Sequence, residues 1–100
     1  MARRQPAAAA DYTVKNLLDS CLEGDNASRE HESFEAMVCN QYLRGFEDSY
    51  VAIGGKGYCF PSGQDRVANA RRMFIKWGVN NTRAHGWAAA DGVLAAMRCK

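Results

Sequence analysis

Four stretches of the chain repeat apolar side chains at the three-and-four spacing of an amphipathic helix, and none alternates with the period of a half-buried strand. The first runs through Val14, Leu17, Leu18, Cys21 and Leu22, with Thr13 placed to cap its start and Gly24 to end it. Residues 24–29, GDNASR, are turn chemistry. The second predicts a long helix over about residues 30–53, with an inward stripe of Phe34, Met37, Val38, Gln41, Tyr42, Gly45, Phe46, Ser49, Tyr50 and Ile53. Gly45 in its middle costs about 1 kcal/mol against alanine and predicts a neighbour packed close to the backbone, with Tyr42 beside it. Gly54-Gly55 stops that helix.

Next comes the stretch GYCFPSGQDR, residues 57–66. Pro61 holds Tyr58-Cys59-Phe60 extended, and Ser62 and Asp65 have the spacing of a capping box. Val67, Ala70, Arg71, Phe74, Ile75 and Trp77 trace a third helix that Gly78 ends. Asn80-Asn81-Thr82 then predicts the cap of a fourth, with Ala84, Ala88, Ala89, Val93, Leu94 and Met97 facing inward and Gly86 and Gly92 admitting close approach. Residues 1–12 hold Pro6, an alanine run and no periodicity, and read as a flexible tail. The expected fold is an all-α, four-helix bundle-like single domain over residues 13–100.

Composition changes this picture in one respect. Four cysteines in 100 residues, with no C-x-x-C pair, point to two disulfides and an oxidising compartment. Their wide spacing and two scattered histidines do not fit a zinc site. The net charge, 13 − 11 = +2, is too small to argue for nucleic acid or an acidic membrane surface. No run of residues approaches a membrane span and no export signal is visible, which is reconciled with an oxidising destination if the sequence is a mature form with Met1 added.

Helices three and four share a short loop and should run antiparallel, which returns Cys99 to Cys59 and closes a loop of about 40 residues. Cys21 and Cys39 form the remaining pair, preferred over the other two connectivities. The fit is poorer, because Cys39 would stand about 14 Å along a second helix that began near residue 30.

Catalytic chemistry is not visible. His31 and His85 have no nucleophile if every cysteine is bridged, and there is no paired carboxylate cluster or glycine-rich phosphate loop. No cofactor is expected.

The segments Leu17-Leu18 with Cys21, Cys39-Asn40-Gln41-Tyr42-Leu43-Arg44-Gly45, Cys59-Phe60-Pro61-Ser62-Gly63 and the terminal Cys99 together resemble the Tai family, the amidase immunity proteins of type VI secretion. The likeness covers about residues 14–99. That family usually closes on Phe-Pro-Cys where this chain has Met97-Arg98-Cys99, and often carries a proline where it has Gly78-Val79-Asn80-Asn81.

The resemblance implies a periplasmic, non-enzymatic homodimer that plugs the cleft of a peptidoglycan amidase of the NlpC/P60 cysteine-peptidase type. It implies contact through the third helix and the loop after it, which here means Arg71, Trp77, Val79, Asn80, Asn81 and Arg83. The alternative class is a periplasmic acid-stress chaperone, which would bind many clients through exposed apolar patches.

Overall fold

A computed structural model describes residues 11–26, 34–52, 54 and 57–99, with Asp25 and Asn26 described in backbone only. These residues form α1 (Val14–Asn26), α2 (Phe34–Ala52), α3 (Arg66–Val79) and α4 (Ala89–Ala96), with a 3₁₀ turn at Thr82–Ala84. Among them there is no strand, only two isolated antiparallel bridges, Thr13 with Ala88 and Tyr58 with Arg98. The all-α fold is as expected. The tail before Asp11, His31, Ile53 and Gly55 lie outside the described residues.

The start of α1 shows why the helix begins where it does. Its free N–H groups need acceptors, and each finds one. Val14 N donates to Trp87 O (2.8 Å), Lys15 N to His85 O (3.0 Å), Asn16 N to Thr13 Oγ1 (3.2 Å) and Leu17 N to Thr13 O (3.0 Å). Thr13 N in turn donates to Asn16 Oδ1 (3.0 Å), a reciprocal cap with asparagine in the acidic position. Ala89 N completes the seam by donating to Tyr12 O.

That seam accounts for one departure from the sequence. The fourth helix does not start at Asn80-Asn81-Thr82. It starts at Ala89, because residues 85–88 turn across the head of α1, where His85 O and Trp87 O accept from its first N–H groups and Ala88 is extended at ψ 140°. Gly92 serves the close approach expected of it, facing Val14, Phe74 and Trp77, whereas among the described residues nothing lies within 4 Å of a β-carbon at Gly86.

Three other glycines also act differently from the sequence expectation. Gly24 does not end α1, which runs to Asn26. It is the point where α1 meets α2, and a β-carbon there would stand 2.6 Å from the Ala36 Cα. Gly78 lies inside α3 under Leu18, whose Cδ atoms would be 3.1 Å from an added β-carbon. Gly45 has no such neighbour: among the described residues nothing lies within 4 Å of the position its β-carbon would take. Gly54 does stop α2, with φ +70°.

The capping box at Ser62 and Asp65 is absent as well. Gly63 turns the chain at φ +98°, and α3 begins at Arg66 with Asp65 making no side-chain cap.

The core is Val14, Leu17, Leu18 and Cys21 from α1, Cys39 and Leu43 from α2, Ala70 and Phe74 from α3, and Ala89, Val93 and Met97 around α4. The inward stripe expected on α2 is displaced. Ala36, Cys39 and Leu43 are buried, whereas Phe34 is 72% and Met37 49% exposed, and Gln41, Gly45 and Ser49 are also exposed. The Cys21–Cys39 disulfide settles which face turns in. Its Cα atoms are 4.9 Å apart, and Cys39 is only the sixth residue of α2, about 7.5 Å along its axis. Cys59 and Cys99 form the second disulfide, Cα atoms 5.0 Å apart, flanked by Cys59 N to Met97 O (2.7 Å) and Cys99 N to Gly57 O (2.9 Å).

Candidate partner-binding site

The last carbonyls of a helix run short of backbone donors, and α3 supplements the Asn80 N and Asn81 N bonds to Lys76 O and Gly78 O with two asparagine side chains and a histidine. Asn80 Nδ2 donates to Lys76 O (2.8 Å), Asn81 Nδ2 to Trp77 O (2.7 Å) and His85 Nε2 to Gly78 O (2.9 Å). Asn80-Asn81 is therefore the C-terminal cap of α3 and not the N-terminal cap of α4. Ala84 N and His85 N then donate to Asn81 O and Thr82 O, so the turn is fastened at every step.

The six residues singled out from the sequence fall into two groups. Val79, 53% exposed, stands at this corner with exposed Asn80 and Arg83. Asn81, Arg83, Ala84 and Trp87 line a cavity of about 340 Å³ beside it. Trp77 belongs to the support beneath: its ring lies 6.1 Å from both Phe74 and Trp87, a half-buried row reaching from the core to the corner. Arg71 sits two turns back on α3 and bonds to α2, Nη1 to Asn40 Oδ1 at 2.9 Å. The corner can thus present one apolar and one cationic side chain on a base with little freedom.

A second surface was not anticipated. Gln41, Tyr42, Gly45, Phe46, Ser49 and Tyr50 of α2, with Ala90, line an open groove of about 580 Å³ with a predominantly apolar wall. Its aromatics are anchored from behind. Tyr42 lies 5.6 Å from Tyr12, and Phe46 and Tyr50 lie 5.4 and 4.6 Å from Tyr58. Burial, then the neighbouring Tyr12 and Asp91, raises the Tyr42 phenol above its ordinary range. The available signal was Gly45 itself, a glycine in mid-helix, which the sequence assigned to an internal contact.

The family model for Rap1a immunity proteins matches residues 13–100, which spans α1 to both cysteines of the second disulfide. The chain belongs to the Rap1a immunity protein family. Membership implies a protein that binds a cognate effector and acts by binding, without catalysis of its own. No curated protein and no solved structure matches the chain. Among the described residues no helix is long and apolar enough to cross a membrane.

Proposed function

We propose that this member of the Rap1a immunity family is the periplasmic antidote to a type VI secreted peptidoglycan amidase, and that it works as a homodimer whose α3 corner enters the amidase cleft. The corner is the observation that carries the proposal. Val79 and Arg83 project from a turn whose carbonyls are capped by Asn80, Asn81 and His85, so little conformational entropy remains to be lost on binding. An apolar tip beside a cation suits a cleft with a hydrophobic wall and a polar rim. Two disulfides fit an oxidising compartment. The Cys-x-x-Tyr-Leu-x-Gly and Cys-Phe-Pro-x-Gly segments support the amidase branch of immunity proteins through their likeness to the Tai family.

In this reading Arg71, Trp77 and Asn81 hold the corner, and Val79, Asn80 and Arg83 meet the effector. The test is inhibition of a panel of purified type VI amidases acting on isolated peptidoglycan. One amidase should be inhibited at a one-to-one ratio, and the variant carrying Val79→Asp and Arg83→Glu should lose this while melting at the wild-type temperature. A chain that inhibits none of them, and instead suppresses aggregation of unrelated proteins at acid pH, would overturn the proposal in favour of a chaperone.

A further inference from the structure

The two disulfides are unequal. Cys21 and Cys39 are both inaccessible to solvent, whereas Cys59 is exposed and Cys99 half-buried. A disulfide opens when a thiolate reaches one of its sulfurs, so access decides which bridge reacts in the folded protein. The second bridge also stands apart from the core. Its cysteines flank the isolated pairing of Tyr58 with Arg98, which two backbone bonds hold, Cys59 N to Met97 O (2.7 Å) and Cys99 N to Gly57 O (2.9 Å). Residues 58–62 run between Gly57 and Gly63, both in the left-handed region at φ +78° and +98°, and Cys99 lies beyond the end of α4 at Ala96. Met97, the core residue beside it, is tied to its own helix by Met97 N to Val93 O (3.0 Å).

We propose that Cys59–Cys99 is a thiol-exchange site that opens while the protein stays folded, and that Cys21–Cys39 is closed to the same chemistry. The co-reactant is a low-molecular-weight thiol in its thiolate form. Its sulfur attacks Cys59 Sγ, the exposed member of the pair. The Cys59–Cys99 bond breaks, a new S–S bond joins the small thiol to Cys59, and the electron pair leaves on Cys99 Sγ as a thiolate. A second small thiolate then attacks the sulfur of the first, releasing Cys59 as a thiolate and the two small thiols as their disulfide. The core opens for neither step, because α1 stays joined to α2 through Cys21–Cys39 and to residues 85–88 through the bonds at its head. The step has a structural consequence. Tyr58, next to Cys59, places its ring 5.4 Å from Phe46 and 4.6 Å from Tyr50, two of the aromatics that wall the α2 groove. Once the bridge opens, the Tyr58 segment keeps only its ring contacts and the two backbone bonds, and the backing of Phe46 and Tyr50 loosens. The α3 corner, at the far end of α3 from this bridge, keeps its own caps.

The test is exposure of the purified, oxidised chain to glutathione, with portions quenched in excess N-ethylmaleimide and mapped by mass spectrometry. Glutathione should appear on Cys59 and maleimide on Cys99 first, at a rate proportional to the glutathione concentration and unchanged by urea below the unfolding transition. Cys21 and Cys39 should label at least about tenfold more slowly, and urea should accelerate them, because they are reached only when the core opens. Far-ultraviolet circular dichroism should hold as the exposed bridge opens, while the near-ultraviolet tyrosine signal falls. The variant carrying Cys59→Ser and Cys99→Ser should show the same pair of signals without any thiol. Both bridges opening at one common rate, glutathione placed on Cys99, no opening without urea, or a serine variant that loses its helical signal would each overturn the proposal. An unchanged tyrosine signal would overturn the link to the groove. None of these readings involves an amidase, so they stand or fall separately from the proposed effector.

Discussion

Gly24 of α1 lies against Ala36 of α2 so closely that a β-carbon at position 24 would stand 2.6 Å from the Ala36 Cα and 2.8 Å from its Cβ. The first disulfide joins the same two helices through Cys21 and Cys39, one turn away on each. The close crossing and the covalent bond therefore fix one another's geometry. Gly24→Ala gains helix propensity of up to about 1 kcal/mol, but it must push backbone from backbone at a crossing that cannot open. Overpacking of this kind costs about 1–3 kcal/mol, and the net expectation is a lower urea midpoint.

Gly45→Ala is the matched control on α2. Its β-carbon meets no described residue within 4 Å, so folding stability should rise by about 0.5–1 kcal/mol. A Gly45→Ala chain with a lower melting temperature would show that the glycine has an internal role after all.

Asn80→Ala and Asn81→Ala remove side-chain caps from the Lys76 and Trp77 carbonyls. Each cap bond contributes about 0.5–1.5 kcal/mol. The double variant should therefore melt measurably lower, and any loss of effector binding it shows reflects both contact and stability. Val79 and Arg83 make no such bonds among the described residues, so their substitutions should leave the melting temperature alone and isolate the contact itself. Equal destabilisation by both pairs would remove this distinction.

The helical fold was legible in the sequence wherever one periodic stripe stood alone. Val14, Leu17, Leu18 and Cys21 satisfy a single face, and the structure buries all four. In α2 the start of the stripe is ambiguous, because Phe34 and Met37 lead into Tyr42 and Phe46 as well as Ala36, Cys39 and Leu43 do, yet Phe34 and Met37 are exposed while Tyr42 and Phe46 pack against the core. The disulfide to Cys21 decides between them, and periodicity has no access to that choice. The α3 corner was visible as a position, but the direction of its caps was not. Asparagine serves either end of a helix, and the seam that residues 85–88 make with the head of α1 is a long-range pairing that no local window contains. The groove around Gly45 was hidden for the opposite reason. The glycine was noticed, yet sequence alone cannot separate an internal neighbour from an external one.

The two disulfides close segments with sequence separations of 18 and 40 residues. Chain-entropy reasoning assigns them about 3 and about 4 kcal/mol, a large share of the stability of a domain this size. Reduction should lower the melting temperature steeply. Replacing Cys59 and Cys99 with alanine should cost more than replacing Cys21 and Cys39 if loop closure dominates. The reverse order would mean that the buried sulfurs of Cys21 and Cys39, both inaccessible to solvent, contribute mainly through packing. Denaturant titrations of the two double variants, compared with wild type, separate these outcomes.

Tyr58 offers a test in pH. Its ring sits among Tyr50, Phe46 and Phe60 at 4.6, 5.4 and 5.7 Å, and its hydroxyl is buried with no hydrogen-bond partner among the described residues. Burial above all, then the charges of Glu47 and Tyr50, raises its phenol well beyond the ordinary range. A proton held more tightly in the folded state contributes stability that is complete below the unfolded value of about pH 10. Above it that stability falls, because the unfolded chain ionises first, and the decline continues until the folded phenol also titrates. Melting temperature should therefore be level from neutral pH to about pH 9 and drop beyond about pH 10. Tyr58→Phe keeps the ring contacts and removes both the orphaned hydroxyl and the titration. It should melt at or above the wild-type temperature at neutral pH and lose less on going alkaline. A lower neutral melting temperature would mean that the hydroxyl has a partner in solution.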